Sequence, residues 1–329
     1  MLHGTCILVT GGAGYIGSHA VRRLCDLGVR VVVYDSLLTG HRGAVDPRAA
    51  FVRGDVRDRA ALDALLADHP VDAALHFAAL ALVGESMREP DRYHDVNVKG
   101  TATLAAALAA AGVKAAVLSS TAATYGDDVP CPIDEDQALA PCNPYGASKV
   151  GAEQALRDTE GLDAICLRYF NAAGAWPDGS FGEFHTHETH LVPLAIAACL
   201  GRRDPLTVFG TDWPTPDGTC VRDYIHVLDL VEAHVLALER LLGGGGGGVF
   251  NLGTGTGYSV REVLDRIGAI AGTPVPSVDG ARRPGDPAVL VAGNERARTV
   301  LGWEPTRGLD AIVSDALRWH RSHPRGYVD

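Results

Sequence analysis

Tyr145 and Lys149 stand four residues apart in Asn143-Pro144-Tyr145-Gly146-Ala147-Ser148-Lys149, and Thr121 closes the upstream run Leu118-Ser119-Ser120-Thr121. On a helix, positions i and i+4 share a face, so the Lys149 ammonium can approach the Tyr145 phenol and lower a pKa that is about 10 when unperturbed. A phenolate poised near neutrality can take a proton from an alcohol, and Thr121 adds a hydroxyl to the same chemistry. The trio therefore predicts hydride transfer at an alcohol carbon.

Such a base needs an electron acceptor beside it. The apolar run Cys6-Ile7-Leu8-Val9-Thr10 leads directly into Gly11-Gly12-Ala13-Gly14-Tyr15-Ile16-Gly17, which matches G-x-x-G-x-x-G at positions 11, 14 and 17. Gly11 and Gly14 let the chain turn tightly and bring backbone N–H groups to a pyrophosphate at the next helix's N-terminus, while Gly17 permits close packing of helix on strand. A second strand-like run, Arg30-Val31-Val32-Val33-Tyr34, ends in Asp35. A carboxylate there can bond both ribose hydroxyls of an adenosine and repel a 2′-phosphate, so the expected cofactor is NAD rather than NADP.

With 329 residues the chain can bury a large core and hold one large domain with a lobe, or two ordinary domains. The net charge of −11, from 40 acids against 29 bases, argues against nucleic acid as a partner. An anionic ligand then requires a local cluster of arginines. Seven cysteines, at 6, 25, 131, 142, 166, 199 and 220, include no C-x-x-C pair, which predicts reduced thiols rather than a disulfide framework or zinc site. No leader segment precedes the first strand and no apolar run reaches the ~18 residues of a membrane span, so a soluble cytoplasmic protein is expected.

Strand-like stretches near 5–10, 30–34, 50–53, 73–77, 115–119 and 164–168 alternate with helical patterns at 18–27, 59–68, 97–111 and 145–159. This alternation predicts an α/β fold, a doubly wound parallel-sheet Rossmann domain. After Gly174 the texture turns to Pro, His, Gly and Trp, as in a smaller, mixed, ligand-gripping C-terminal lobe. The expected division is 1–174 for the dinucleotide domain and 175–329 for the lobe, with about 219–252 returning to the first domain through a helix at 228–242 and a strand at 249–252. The six glycines Gly243–Gly248 lack the Lys-Ser/Thr of a phosphate loop and read as a flexible surface connector.

On these motifs the chain resembles the extended short-chain dehydrogenase/reductases, and within them the UDP-glucose 4-epimerase family, over nearly its whole length. The resemblance rests on the Val9–His19 glycine run, His76-Phe77-Ala78-Ala79, Val83-Gly84-Glu85-Ser86, Asn143-Pro144-Tyr145-Gly146, Leu167-Arg168-Tyr169-Phe170-Asn171 and Val221-Arg222-Asp223-Tyr224-Ile225-His226-Val227. It implies a homodimer that keeps NAD tightly bound and interconverts UDP-galactose and UDP-glucose. By the same resemblance, Thr121 and Tyr145 face the sugar's 4-hydroxyl and Lys149 holds the nicotinamide ribose. Tyr15, Ile16, Ser36, Ala78, Ala79 and Ser119 join the glycines and Asp35 around NAD, Phe77, Asn97 and Phe170 line its site, and Asp55 and Val56 flank the adenine. Asn171, Leu191, Thr207 and Phe209 are implied to form the uridine pocket, and Arg222, Arg283 and Asp286 to hold the diphosphate and uridine ribose. Leu290 falls where relatives that exclude N-acetylated sugars carry a tyrosine, so UDP-N-acetylglucosamine is a second candidate substrate.

Three departures from the family pattern stand out: Thr121 replaces the commoner serine, Ala122 and Ala123 follow it where some relatives carry a threonine, and Ala81 replaces a lysine near the cofactor phosphates. The related 4,6-dehydratases need an Asp-Glu pair just after the threonine, and decarboxylase relatives a nearby glutamate; Ala122, Ala123 and Thr124 supply neither. A non-catalytic NAD-binding protein on the same fold is the reading of a different class, countered by retention of both Tyr145 and Lys149. His185, His187 and His190 suggest a metal site, but they lack H-E-x-x-H spacing, and no metal is expected.

Overall fold

Cys6–Thr10 and Ala115–Thr121 are buried along their whole length, as strands covered by helices on both faces must be. The protein is described here from a computed structural model covering residues 2–127, 129–283 and 286–328, so positions 1 and 329 of the expected domain spans lie outside the described residues. In chain order the strands are β1 (Cys6–Thr10), β2 (Arg30–Asp35), β3 (Ala50–Arg53), β4 (Ala73–His76), β5 (Ala115–Thr121), β6 (Asp163–Tyr169), β7 (Asn171–Ala173), β8 (Leu206–Phe209), β9 (Val221–His226), β10 (Gly248–Leu252), β11 (Gly257–Ser259), β12 (Ser277–Gly280) and β13 (Val289–Leu290).

Seven of them form one parallel sheet in the order β10-β6-β5-β4-β1-β2-β3. The order reverses between β1 and β4, which opens a crevice at their carboxyl ends. Alternation along each strand sends Ile7, Val9 and Val33 to one face, against Leu24, Leu230 and Leu238, and Leu8, Val32 and Ala116 to the other, against Leu62, Leu104 and Leu156.

The first helix begins at Tyr15 rather than at 18, because the glycine loop is itself its first turn, with Gly14 as N-cap. The helix expected over 97–111 is α-helical only from Gly100 to Ala110; His94–Lys99 before it are π-helical and carry Asn97. Such wide turns concentrate at functional sites.

In the second layer of the molecule β9 pairs in parallel with β7 and β13 and antiparallel with β11, while β8 pairs with β12. Helices Leu191–Cys199, Val260–Ala271 and Leu309–Ser322 cover these strands through Ile196, Ile267 and Ile312. The helix Val227–Leu242 instead buries Leu230 and Leu238 against the main sheet and leads to β10 beside β6. Between them the glycine run lies at the surface as expected and makes a turn: Gly244 and Gly246 have φ of +77° and +72°, and a Cβ on Gly247 would collide with the Ala164 carbonyl. All seven cysteines are free, and among the described residues no helix is long and apolar enough to cross a membrane.

Candidate active site

β5 delivers Thr121 to the carboxyl end of the sheet, opposite Tyr169 of β6 in register. A single turn, Ala122–Thr124, follows, and Thr121 Oγ1 accepts from Ala123 N at 3.2 Å. The helix Pro144–Arg157 starts against this turn: Asn143 caps it by accepting from Gly146 N at 2.9 Å, Pro144 occupies its first position, and a Cβ on Gly146 would strike the Ala123 carbonyl. That close approach sets Tyr145 beside Thr121, with Lys149 one turn deeper on the same face.

Lys149 is 4% exposed, and its Nζ donates to the Ser119 carbonyl at 2.9 Å. Burial lowers the ammonium's pKa to about 8, opposed by the negative charge of Glu153. Burial raises the Tyr145 phenol above its ordinary value, and a hydrogen bond with Thr121 pulls the other way. The expected lowering of the phenol by Lys149 is therefore corrected: the ammonium is committed to a backbone carbonyl, and desolvation dominates the tyrosine.

The glycine loop forms a cradle that side chains would fill. Gly11 has φ of +74° and a Cβ there would collide with Ala78 N, while a Cβ on Gly17 would strike the Gly11 carbonyl. Phe77 N and Ala78 N both donate to Thr10 O, at 2.9 and 3.1 Å, which seats Phe77, Ala78 and Ala79 across from the loop. Asp35 accepts from Ala13 N at 3.0 Å and Leu37 N at 2.8 Å, and burial raises its carboxyl against those two bonds. Leu37, just past Ser36, has φ of +57°, a left-handed conformation uncommon for leucine and concentrated at functional turns.

Around this cradle, Asp55 is held by Arg57 at 2.7 Å, which lowers its carboxyl, and Val56 is buried. The Phe77 ring lies 4.8 Å from that of His234. Asn97 is fully engaged with the scaffold, accepting from Leu80 N at 2.8 Å and donating to the Leu80 carbonyl and Ser148 Oγ at 2.9 Å each. It therefore fixes the strand-end loop next to the crevice. Phe170 is half-buried between β6 and β7. A helix N-terminus with small residues, a carboxylate at the end of β2 and flanking apolar side chains fit a dinucleotide.

Across the crevice, Asn171 lies in β7, Thr207 and Phe209 in β8, and Leu191 opens its helix. The Arg283 guanidinium sits 4.6 Å over the Phe209 ring, and Asp286 N donates back to the Arg283 carbonyl at 3.3 Å. Arg222 donates to the Val221 and Pro287 carbonyls at 2.9 and 2.8 Å, with Asp286 at 3.7 Å. Leu290 pairs with Arg222 in register between β13 and β9. Asp223 points away from Arg222 and accepts from Thr254 N, Gly255 N and Ala292 N at 2.8, 3.1 and 3.2 Å, so it holds loops together rather than pairing with its neighbour.

Three contributors escape a reading of motifs. Glu153, on the Pro144–Arg157 helix one turn past Lys149, is buried against Arg168; its spacing of four from Lys149 was the available signal. Tyr169 Oη stands 2.9 Å from Ser119 Oγ, and the Tyr93 ring meets the Tyr145 ring edge-on at 6.5 Å. Neither contact has a local signature, because each joins residues about fifty apart.

Residues 7–253 match the NAD dependent epimerase/dehydratase family. The chain is 53% identical, over 97% of its own length and 98% of the relative's, to a UDP-glucose 4-epimerase of Rhizobium meliloti. A crystal structure of a UDP-glucose 4-epimerase superposes with a TM-score of 0.96 at 44% identity, covering 98% of this chain and all of that one. The Brucella ovis UDP-glucose 4-epimerase, solved in complex with NAD, gives a TM-score of 0.93 at 46% identity over 96% of this chain and 98% of that one. With the glycine cradle, Asp35 and the Thr121–Tyr145–Lys149 face at one crevice, the chain belongs to the NAD dependent epimerase/dehydratase family.

Proposed function

We propose that this protein interconverts UDP-galactose and UDP-glucose by oxidising and re-reducing C4 of the sugar. The observation that carries the reading is Tyr145 set beside Thr121 by the Gly146–Ala123 approach, at the mouth of a dinucleotide cradle. The Rhizobium relative bears this activity's name, and the Brucella structure holds NAD.

Gly11, Gly14, Tyr15, Ile16, Gly17 and Asp35 would hold the cofactor, with Lys149 toward its nicotinamide ribose. Bound there, NAD supplies a hydride acceptor and donor and a positive charge that favours the phenolate. Tyr145 Oη takes the proton of the 4-hydroxyl directly or through Thr121 Oγ1, and returns it after the sugar has turned. Arg222 and Arg283 give an acidic protein two cations for a diphosphate, and Phe209, Thr207, Asn171 and Leu191 grip the uridine. Holding the nucleotide and not the hexose lets the ketone present its other face. The turn after Thr121 offers only Ala122, Ala123 and Thr124, no acid–base pair for eliminating water.

Leu290, half-buried beside Arg222, leaves more room than a tyrosine, so weak turnover of UDP-N-acetylglucosamine accompanies the main activity. The working form is a cytoplasmic homodimer. Incubation of purified protein with UDP-galactose and, separately, UDP-N-acetylgalactosamine, followed by NMR of the products, tests the reading. Conversion of the first without added NADH is expected; no change at C4 of either would overturn it.

A further inference from the structure

The histidines at 185 and 190 do not stand alone in the folded chain. Ligand atoms of Glu183, His185, Glu188 and His190 all lie within 4.8 Å of one another. His185 Nδ1 is 3.0 Å from Glu188 Oε2, and His190 Nδ1 is 2.7 Å from Glu183 Oε1 and 3.2 Å from Glu188 Oε1. His187, the middle histidine of the sequence cluster, is exposed and outside this group.

Glu183 points to a ligand. It is 2% exposed, and no hydrogen bond satisfies its Oε1 among the described residues; two imidazole nitrogens, His190 Nδ1 and His185 Nδ1, stand 2.7 and 3.7 Å from it. A buried carboxylate oxygen left so is costly unless it faces a cation. Glu188, by contrast, is already aimed. Its Oε1 accepts from Thr189 N and His190 N at 2.7 and 2.8 Å, the kind of outer bonding that orients a ligating carboxylate.

We propose that Glu183, His185, Glu188 and His190 form a binding site for one zinc ion. Two imidazole nitrogens with two carboxylates select zinc over calcium or magnesium, and four protein ligands leave no open position, so the metal is structural. Zinc–ligand bonds of about 2.0–2.1 Å place tetrahedral ligands roughly 3.3 Å apart, so a pair as wide as 4.8 Å closes by about 1.5 Å on binding. The ion replaces imidazole protons, which leave to solvent. The site lies between the two halves of the molecule: the His185 ring meets the Tyr15 ring of the glycine loop edge-on at 6.5 Å, and His190 caps the helix that begins at Leu191. Zinc there would pin the start of that helix to the loop. Sequence spacing misses the site because one ligand, Glu183, precedes the histidines and another, Glu188, lies between them.

The test is titration of chelator-stripped full-length protein with zinc chloride, using a competing chromophore, and X-ray absorption of the zinc-loaded protein. One zinc per chain is expected, with only nitrogen and oxygen neighbours and no sulfur at about 2.3 Å. Glu183→Gln and His185→Ala should each weaken binding beyond the roughly 10–100-fold that outer-shell changes cost, and His187→Ala should leave it unchanged. A sulfur shell, no stoichiometric zinc, or equal affinity in the ligand variants and His187→Ala overturns the proposal. If a ligand variant fails to fold, the absorption spectrum of the parent decides.

Discussion

The Glu153 carboxylate grips the Arg168 guanidinium with both oxygens, Oε1 at 2.8 Å from Nε and Oε2 at 2.5 Å from Nη2, the side chains being 3% and 4% exposed. Ser120 Oγ donates to the same Oε1 at 2.5 Å, Arg168 Nη1 to Tyr125 Oη at 3.0 Å, and Tyr125 Oη to Asn251 Oδ1 at 2.7 Å. The network binds β5, β6 and β10 to the catalytic helix directly under Thr121 and Lys149. Glu153→Gln would leave the guanidinium buried without its counter-charge, at a cost of about 3–5 kcal/mol in urea unfolding, whereas replacing Glu153 and Arg168 together by methionine should cost less. An unchanged midpoint for Glu153→Gln contradicts this account.

Tyr145→Phe removes the phenol that the proposed function assigns to the 4-hydroxyl proton beside Thr121. Turnover of UDP-galactose should fall by ~10²–10⁴-fold while UDP binding, measured by calorimetry, persists. A variant nearly as active as the parent sinks the assignment.

NAD should remain with the protein through purification, because release of the reduced cofactor would strand the ketone. Denaturing the purified protein and assaying the supernatant for nicotinamide checks this. Ala81 is exposed and offers no cation to the phosphates, so occupancy below one per chain is compatible with the prediction. Cofactor-free protein that is active without added NAD is not.

Leu290→Tyr puts a phenol beside Arg222, the place the proposed function assigns to an acetamido group. Overpacking of about 1–3 kcal/mol corresponds to a roughly 5- to 150-fold loss with UDP-N-acetylglucosamine, while UDP-galactose is spared. Equal losses with both sugars would show that Leu290 is not a gate.

Burial lowers His19 and His234 to about 4 and His76 to about 3. The unfolded chain takes up their protons near pH 6.5, and the folded chain only near 3 to 4. Stability is therefore fully present above pH 6.5 and is lost as pH falls toward about 4, with about three protons taken up on unfolding at pH 5 from these groups. Urea midpoints measured between pH 7 and 5 should fall accordingly, and a flat profile refutes it.

Much of this molecule is written locally. The glycine spacing before Tyr15, Asp35 at the end of β2 and the Tyr145–Lys149 interval are readable because each acts within one turn or one strand–turn–helix unit, where backbone geometry converts spacing into position. The parallel sheet follows from alternating periodicities for the same reason. The shifts of Lys149 and Tyr145 were not readable: burial lowers the ammonium's pKa and raises the phenol's. Spacing alone also missed the Glu153–Arg168 pair and the close approach of Gly247 to Ala164, and Glu183 joined two histidines that looked idle. Desolvation and charge pairing depend on what lies within a few ångströms in space, and only the packed chain decides which residues those are.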